Sequence, residues 1–561
     1  MKIAPLVALF LPLTFLPAYS QATLAPQKTT CAIDPTPPGD AEKALNANDA
    51  AKAELLSTAQ LSATPSAEAQ AGVVRSLLGE GKTDDALDRA TKFLAAVASL
   101  PGKDATAIAH NNAVLQDALG AARFRRGEVG EAGQAFNQAL KLDGCVARIH
   151  SDIARYYRLS GNFLHAQHEV DTAHTLAPED PSITRDWRQA HARLLSPDQQ
   201  INRINARAAA PGATDADKKS AAEAVKRVNA RNSGSCEMSE PVESIMLPLI
   251  ALQGPNTEVD KEIKGVGLDI EFNGKRKRLE VDTGASGLLL SKAAASSAGL
   301  VPEAEMQMFG FGDQGLTRTM ITHVDKLKIG SMEFRNCEVE VVDREGLTTF
   351  DGFIGGDVFA QWLVTIDSPS RELRLTPLPK RPGDTTAEAA PTHLESHGSG
   401  GNGLDFSSTP HDRYVAPEMA DWTKVYRVGH DLIFPVKLND LPIKLMILDT
   451  GAFADILSPE TAKELGGIDR TTSEIHGVSG YARMNAVSVP VMVTFGGTKQ
   501  EIRGMNVVDI ATISRSTGVR ISGFLGFTSL REFVLSIDYR DNLVKVVYDP
   551  KKGFHSRGID F

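Results

Sequence analysis

Cysteine is scarce. The 561 residues hold four, Cys31, Cys145, Cys236 and Cys337, too few and too scattered for a disulfide framework or a thiolate metal site. Cys31 and Cys236 remain open to pairing in an oxidising compartment, and Cys337, inside the alternating stretch CEVEVV, reads as a buried strand residue. Densely basic segments are missing too. A formal net charge of −10 and a pI near 5.8 argue against a nucleic-acid partner. No His/Cys/Asp cluster has metal-ligand spacing, so no metal and no cofactor is expected. Past the N-terminus, no run approaches the roughly 20 apolar residues that span a bilayer.

The N-terminus itself is apolar. Lys2 precedes IAPLVALFLPLTFLPAYS and then polar QATLAPQ. A positive start, a short apolar core and small residues at Ala18 and Ser20 match a secretory signal peptide over 1–22. The expectation is export, to a periplasm or the exterior, with an uncleaved membrane anchor as the alternative. The remainder, 42% apolar and 23% charged, has the balance of a soluble globular protein, long enough for three or four domains.

Residues 40–230 are rich in Ala, Leu, Glu, Lys and Arg and nearly free of strand signals. GEVGEAGQAFNQALKL (127–142) aligns with GNFLHAQHEVDTAHTL (161–176), pairing Gly127 with Gly161, Ala132 with Ala166 and Leu142 with Leu176 at an offset of 34 residues. An earlier unit, GKTDDALDRATKFL (81–94), fits the same frame. This period resembles the tetratricopeptide repeat, a helix-turn-helix unit whose small residues let paired helices approach closely. Its stacked units imply either a concave surface for a partner or substrate, or a spacer without a ligand.

From about 245 the pattern changes to short alternating strands and Gly-rich turns. Here LEVDTGASGLLLS (279–291) returns as MILDTGAFADILS (446–458), 167 residues later. Each aspartate is preceded by a hairpin, LDIEFNGKRKRLEVD (268–282) or FPVKLNDLPIKLMILD (434–449), with Asn-Gly or Asn-Asp at the turn. Each is followed by Ser291 or Ser458, by Gly299 or Gly466, and by a Gly-rich turn, FGFGDQG (309–315) or HGVSG (476–480). The copies close with DGFIGGDVFAQWLVTID (351–367) and SGFLGFTSLREFVLSID (522–538).

This order resembles the retropepsin-like aspartic peptidases over about 260–378 and 430–549. The resemblance implies a multidomain chain: an all-α tetratricopeptide-like array (40–230), then two mainly-β acid-protease lobes (245–380 and 426–550) forming a pseudo-dimer around a flexible linker (381–425). It implies an aspartic endopeptidase, a hydrolase acting on polypeptide, with Asp282 and Asp449 as catalytic residues. Thr283 and Thr450 would hold the two loops together, and Gly284 and Gly451 would allow their close approach. Gly310, Gly312, Gly477 and Gly480 would lie in flaps over the substrate, and Gly355 and Gly526 beneath the aspartate loops.

The chemistry explains the duplication. Hydrolysis by this route needs a water between one ionised and one protonated carboxyl. Two carboxyls about 3 Å apart share a proton, an established property of aspartic proteases. One aspartate is half a site. A monomer would therefore suffice, the linker of about 45 residues reaching roughly 35–40 Å. The alternatives are lobes that pair with another chain, and a peptide-binding scaffold without turnover. The copies also differ: Thr528 stands where the first has Asp357, and Phe453 where it has Ser286. The difference points either to tuning of the site or to decay of one half.

Overall fold

The computed structural model describes residues 31–552 except 34–36, 103, 193–194, 254–262, 310–315, 343–349, 383–392, 395–410 and 478–479. The expected leader (1–22) and the flap glycines Gly310 and Gly312 lie outside the described residues. Among the described residues no helix is long and apolar enough to cross a membrane.

The N-terminal part is helical: α1 (Asp40–Asn46), α2 (Ala50–Ala63), α3 (Ala67–Gly79), α4 (Thr83–Ala95), α5 (Ala105–Arg126), α6 (Val129–Leu142), α7 (Ala147–Leu159), α8 (Phe163–Leu176), α9 (Pro181–Ala192), α10 (Pro197–Ala208) and α11 (Asp215–Asn232). The 34-residue pattern marks the turns inside the pairs α3/α4, α5/α6 and α7/α8. Gly81, Gly127 and Gly161 occupy those turns with φ of +78°, +87° and +76°, a region costly for residues with a Cβ. Small residues set the spacing between helices. A Cβ on Gly120 would lie 2.7 Å from the Phe136 ring, and one on Gly133 would lie 2.4 Å from Tyr156. The wider interval before the second unit comes from α5, 22 residues long against 13 in α3 and in α7.

Each β lobe repeats one crossing. In the first, strand Lys275–Asp282 runs parallel to Gly352–Gly355, which is antiparallel to Leu288–Ser291. In the second, Lys444–Leu448, Gly523–Leu525 and Ile456–Leu457 are related in the same way. The duplicated serines are helix caps, Ser291 Oγ accepting from the Ala294 N–H and Ser458 Oγ from the Thr461 N–H. The hairpins agree less well. Asn273 and Gly274 both take positive φ in a tight turn, whereas the second pair of strands parts after Val436↔Lys444. Asn439 serves another purpose there, its N–H and side chain bonding the Met492 backbone at 2.8 Å each. Asn273 does the same to Lys326, so it is the anchoring that both copies keep.

The lobes join through one six-stranded sheet. Leu363–Asp367 pairs antiparallel with its homologue Phe533–Asp538, with Val364 opposite Ile537 and Ile366 opposite Leu535. Swapping the lobes exchanges these two pairs, so a pseudo-two-fold axis passes between Thr365 and Ser536, whose hydroxyls lie 3.0 Å apart.

The helical array is docked on the second lobe. Val129 and Leu159 share an apolar cluster with Ile433, Ile447, Ile521 and Phe524. The Arg520 N–H donates to the Arg125 carbonyl at 2.9 Å, and the Arg520 guanidinium binds Thr83 and Asp84. The described part of the segment read as a flexible linker is fixed as well. Asp412 caps α8, accepting from the N–H groups of Leu164 at 3.0 Å and His165 at 3.2 Å, and the His411 carbonyl accepts from Phe163.

The cysteines pair otherwise than Cys31 with Cys236. Cys31 bonds Cys145, and Cys236 bonds Cys337, tying the end of α11 to the first lobe. Partners 114 and 101 residues apart in sequence meet only through the tertiary fold. Replacing Cys236 and Cys337 together by Ala should lower stability by about 2–4 kcal/mol. Thermal melts of wild type and variant, with peptide mapping under non-reducing conditions, check this; an unchanged melt with free thiols in the wild type contradicts the pairing.

Candidate active site

Each aspartate ends a buried strand at the crossing, so the chain must turn sharply where the carboxyl emerges. Asp282 Oδ1 accepts from the Gly284 N–H at 2.7 Å. Asp449 Oδ1 accepts from Gly451 at 3.0 Å and Ala452 at 2.8 Å. The structure brings the two together. A Cβ built on Gly284 would lie 2.6 Å from the Asp449 carboxyl carbon, and one on Gly451 would lie 2.2 Å from that of Asp282. Neither position has room for a side chain.

The threonines lock this approach. Thr283 Oγ1 donates to the Leu448 carbonyl at 2.7 Å and accepts from the Thr450 N–H at 3.0 Å. Thr450 Oγ1 donates to the Val281 carbonyl at 2.8 Å and accepts from the Thr283 N–H at 3.0 Å. Both are buried, where an unmade hydrogen bond costs the most. Gly355 and Gly526 lie beneath the loops. A Cβ on Gly355 would come within 2.6 Å of the Ala285 carbonyl, and one on Gly526 within 2.7 Å of the Ala452 carbonyl. Gly477 and Gly480 face each other at the tip of the hairpin formed by Ile468–Gly477 and Gly480–Ser488.

Electrostatics divides the pair. Burial pushes the Asp282 carboxyl well above the usual aspartate range, and the charge of Asp449 adds to it. Burial raises Asp449 as well, but the N–H of Ala452 and a hydrogen bond with Asp282 oppose the rise. Two N–H groups of its own loop meet on one oxygen of Asp449, which favours its anion.

Neighbouring groups missed in the sequence complete the site. Glu280, two residues before Asp282 on the same strand face, is buried; desolvation and the charges of both aspartates raise its carboxyl well above normal. Asp431 adds negative charge beside Asp449 and is itself raised by burial. Alternation alone gave no signal for either, since acidic strand residues are ordinarily solvent-facing.

The two departures between the copies have a physical account. In the first lobe Asp357 reaches back to the aspartate loop, accepting from Ser286 Oγ at 2.7 Å and the Gly287 N–H at 3.1 Å. In the second lobe the carboxylate lies on the opposite side of the crossing. Asp455, in the aspartate loop, accepts from the Gly526 N–H at 2.9 Å and Ser529 Oγ at 2.7 Å. Thr528, at the Asp357 position, donates to the Phe453 carbonyl at 2.6 Å. Phe453 in turn receives Lys264 of the first lobe over its ring at 5.2 Å. The buried carboxylate has moved, and the bracing of the loop remains.

Thr283→Val or Thr450→Val should destabilise the lobe junction by about 1–3 kcal/mol, since each leaves buried backbone groups unsatisfied, while Thr→Ser at either position should cost less; denaturant melts distinguish them. Burial raises the Asp455 carboxyl to about 6. A raised native value means the folded state holds a proton the unfolded chain has released, so this contribution is present below the ordinary 3.8 and lost as pH rises through about 6. Asp455→Asn should therefore flatten the fall in melting temperature between pH 4 and pH 7.

A family model described as aspartyl protease matches residues 268–358. Among solved structures the chain is similar to an aspartic proteinase from Irpex lacteus, with 12% identity and a TM-score of 0.31, over 56% of this chain and 100% of that one. It is similar to a thermophilic TPR protein of Thermus thermophilus, with 17% identity and a TM-score of 0.24, over 33% and 95%. It is also similar to a retropepsin-like aspartic protease from Rickettsia conorii, with 18% identity and a TM-score of 0.18, over 25% and 93%. None of the curated proteins matches the chain. Residues 268–358, which carry the first of the two aspartates, are similar to the aspartyl proteases.

Proposed function

We propose that this chain is an aspartic endopeptidase that hydrolyses polypeptides at a single site completed within one molecule. One observation carries the reading: Asp282 and Asp449, from homologous loops of the same chain, meet so closely that only glycine fits beside each carboxyl. A water held between them would lose a proton to ionised Asp449 as it attacks the scissile carbonyl. Protonated Asp282 would donate to the developing oxyanion. The intrachain meeting supports a monomeric pseudo-dimer over lobes that pair with a second chain. Retention of both aspartates, with the loop bracing preserved in each lobe, supports turnover over an inactive scaffold.

The helical array is proposed to recruit or orient the substrate, and export is proposed on the leader-like N-terminus. Two disulfides support an oxidising destination such as a periplasm or the exterior.

Asp282→Asn and Asp449→Asn should each reduce cleavage of an unfolded, casein-like protein by at least about 10³-fold, with the fold intact by circular dichroism. Full activity in either variant discards the pair as catalyst. Activity should survive chelators, because the carboxyls activate the water. Both carboxyls are raised, so the pair keeps one proton at a pH where free aspartates have lost both. Rate against pH should be bell-shaped, rising as the first proton leaves and falling as the second leaves, with the alkaline limb above the ordinary aspartate value of 3.8.

A further inference from the structure

One cavity lies between Asp449 and the helical array. A space of about 720 Å³ is lined by Gly284 and Asp449 on one side and by residues of α3, α5, α7 and α9 on the other. These are the first helices of successive pairs, so the cavity is the inner face of the array closed against the second lobe.

That inner face is basic. Seven arginines line the cavity against four carboxylates, Glu42, Asp152, Asp431 and Asp449. Three of the arginines are balanced locally. Arg148 pairs with Glu42 and Asp180, Arg155 with Asp152 and Asp186, and Arg75 with Glu42. Arg125 and Arg158 are not. Among the described residues Arg125 gives one hydrogen bond, to the Gly518 carbonyl at 3.2 Å, and neither residue has a carboxylate within salt-bridge distance. Desolvation by the surrounding protein and the nearby charge of Arg155 make the cationic form of both less favourable. Arg158 is exposed to solvent. Two guanidiniums held in such a place, with most of their donors unused, are matched by an incoming anion.

We propose that this arginine-lined chamber is a subsite for carboxylates of the substrate polypeptide, so that the enzyme selects chains carrying negative charge beside the bond it cuts. The inference rests on the peptidase reading above and specifies its substrate class. The carboxylates are either Asp and Glu side chains or a free C-terminus. Both present the same two oxygens to Arg125 and Arg158. A cation entering the same space would meet uncompensated positive charge and be disfavoured.

The test uses peptides that share a cleavable core and carry Glu, Gln or Lys at the flanking positions, each made with a free and an amidated C-terminus. With the full chain, kcat/KM should be at least about tenfold higher for Glu than for Gln peptides, and lowest for Lys. An advantage that follows the free terminus and not Glu identifies the terminal carboxylate as the source. Arg158→Gln, at a residue without a salt-bridge partner, and Arg125→Gln should bring the Glu/Gln ratio toward one, and Arg158→Lys should restore part of it. Melting temperatures report whether each variant is folded. Equal rates for Glu, Gln and Lys with either terminus, or a ratio that both Arg→Gln variants leave unchanged, overturns the proposal. If no peptide is cleaved, the peptidase reading fails separately. The same labelled peptides are then titrated against Asp282→Asn protein by fluorescence anisotropy. Carboxylate-dependent binding that Arg158→Gln abolishes upholds the subsite, and binding indifferent to charge, or none, discards it.

Discussion

Two aspartate-bearing loops are held in contact by a reciprocal set of four hydrogen bonds between Thr283 and Thr450 and the backbone of the opposite lobe. Everything else about the site depends on that contact. It brings the two carboxyls close together, and it forces glycine at 284 and 451 because a Cβ would enter the opposite carboxyl. The six-stranded sheet under the loops, with its axis between Thr365 and Ser536, keeps the lobes from sliding. The interlock could not survive a shift of about an ångström, given how steeply hydrogen bonds weaken with distance and angle.

Symmetry in the backbone coexists with asymmetry in the charges. Asp449 accepts from two backbone N–H groups at its loop, and Asp282 from one in its own. The braces differ too, Asp357 in one lobe and Asp455 in the other, on opposite sides of the same crossing. A duplicated scaffold preserves what a loop needs, a buried acceptor facing two donors, without fixing which residue supplies it.

The helical array does not hang free of the β lobes. Its elbow at Arg125–Val129 and the start of α8 are bonded to the second lobe and to the segment between the lobes, and its inner face lines one cavity with Asp449. A substrate reaching Asp449 through this cavity passes a wall whose chemistry belongs to the repeats. On the proposed function, recognition and hydrolysis would share this cavity, where weaker screening favours selection by charge.

Both architectures, the repeated aspartates and the roles of their neighbouring Thr and Gly were legible because each follows from local rules. The 34-residue period reflects a helix pair with a left-handed glycine at its turn, and the duplicated strand-turn-helix carries its own caps at Ser291 and Ser458. Other features depend on residues distant in sequence. The pairing of Cys31 with Cys145 and Cys236 with Cys337, the exchange of Asp357 for Asp455, and Glu280 turning inward beside the dyad arise from packing. So does the meeting of Arg125, Arg158 and Asp449 around one cavity. The sequence determined what each lobe and each repeat would be, because periodicity and turn chemistry act over a few residues. Only the tertiary structure decided how the array sits on the lobes, since that depends on surfaces brought together from more than 300 residues apart, such as Arg125 and Gly518.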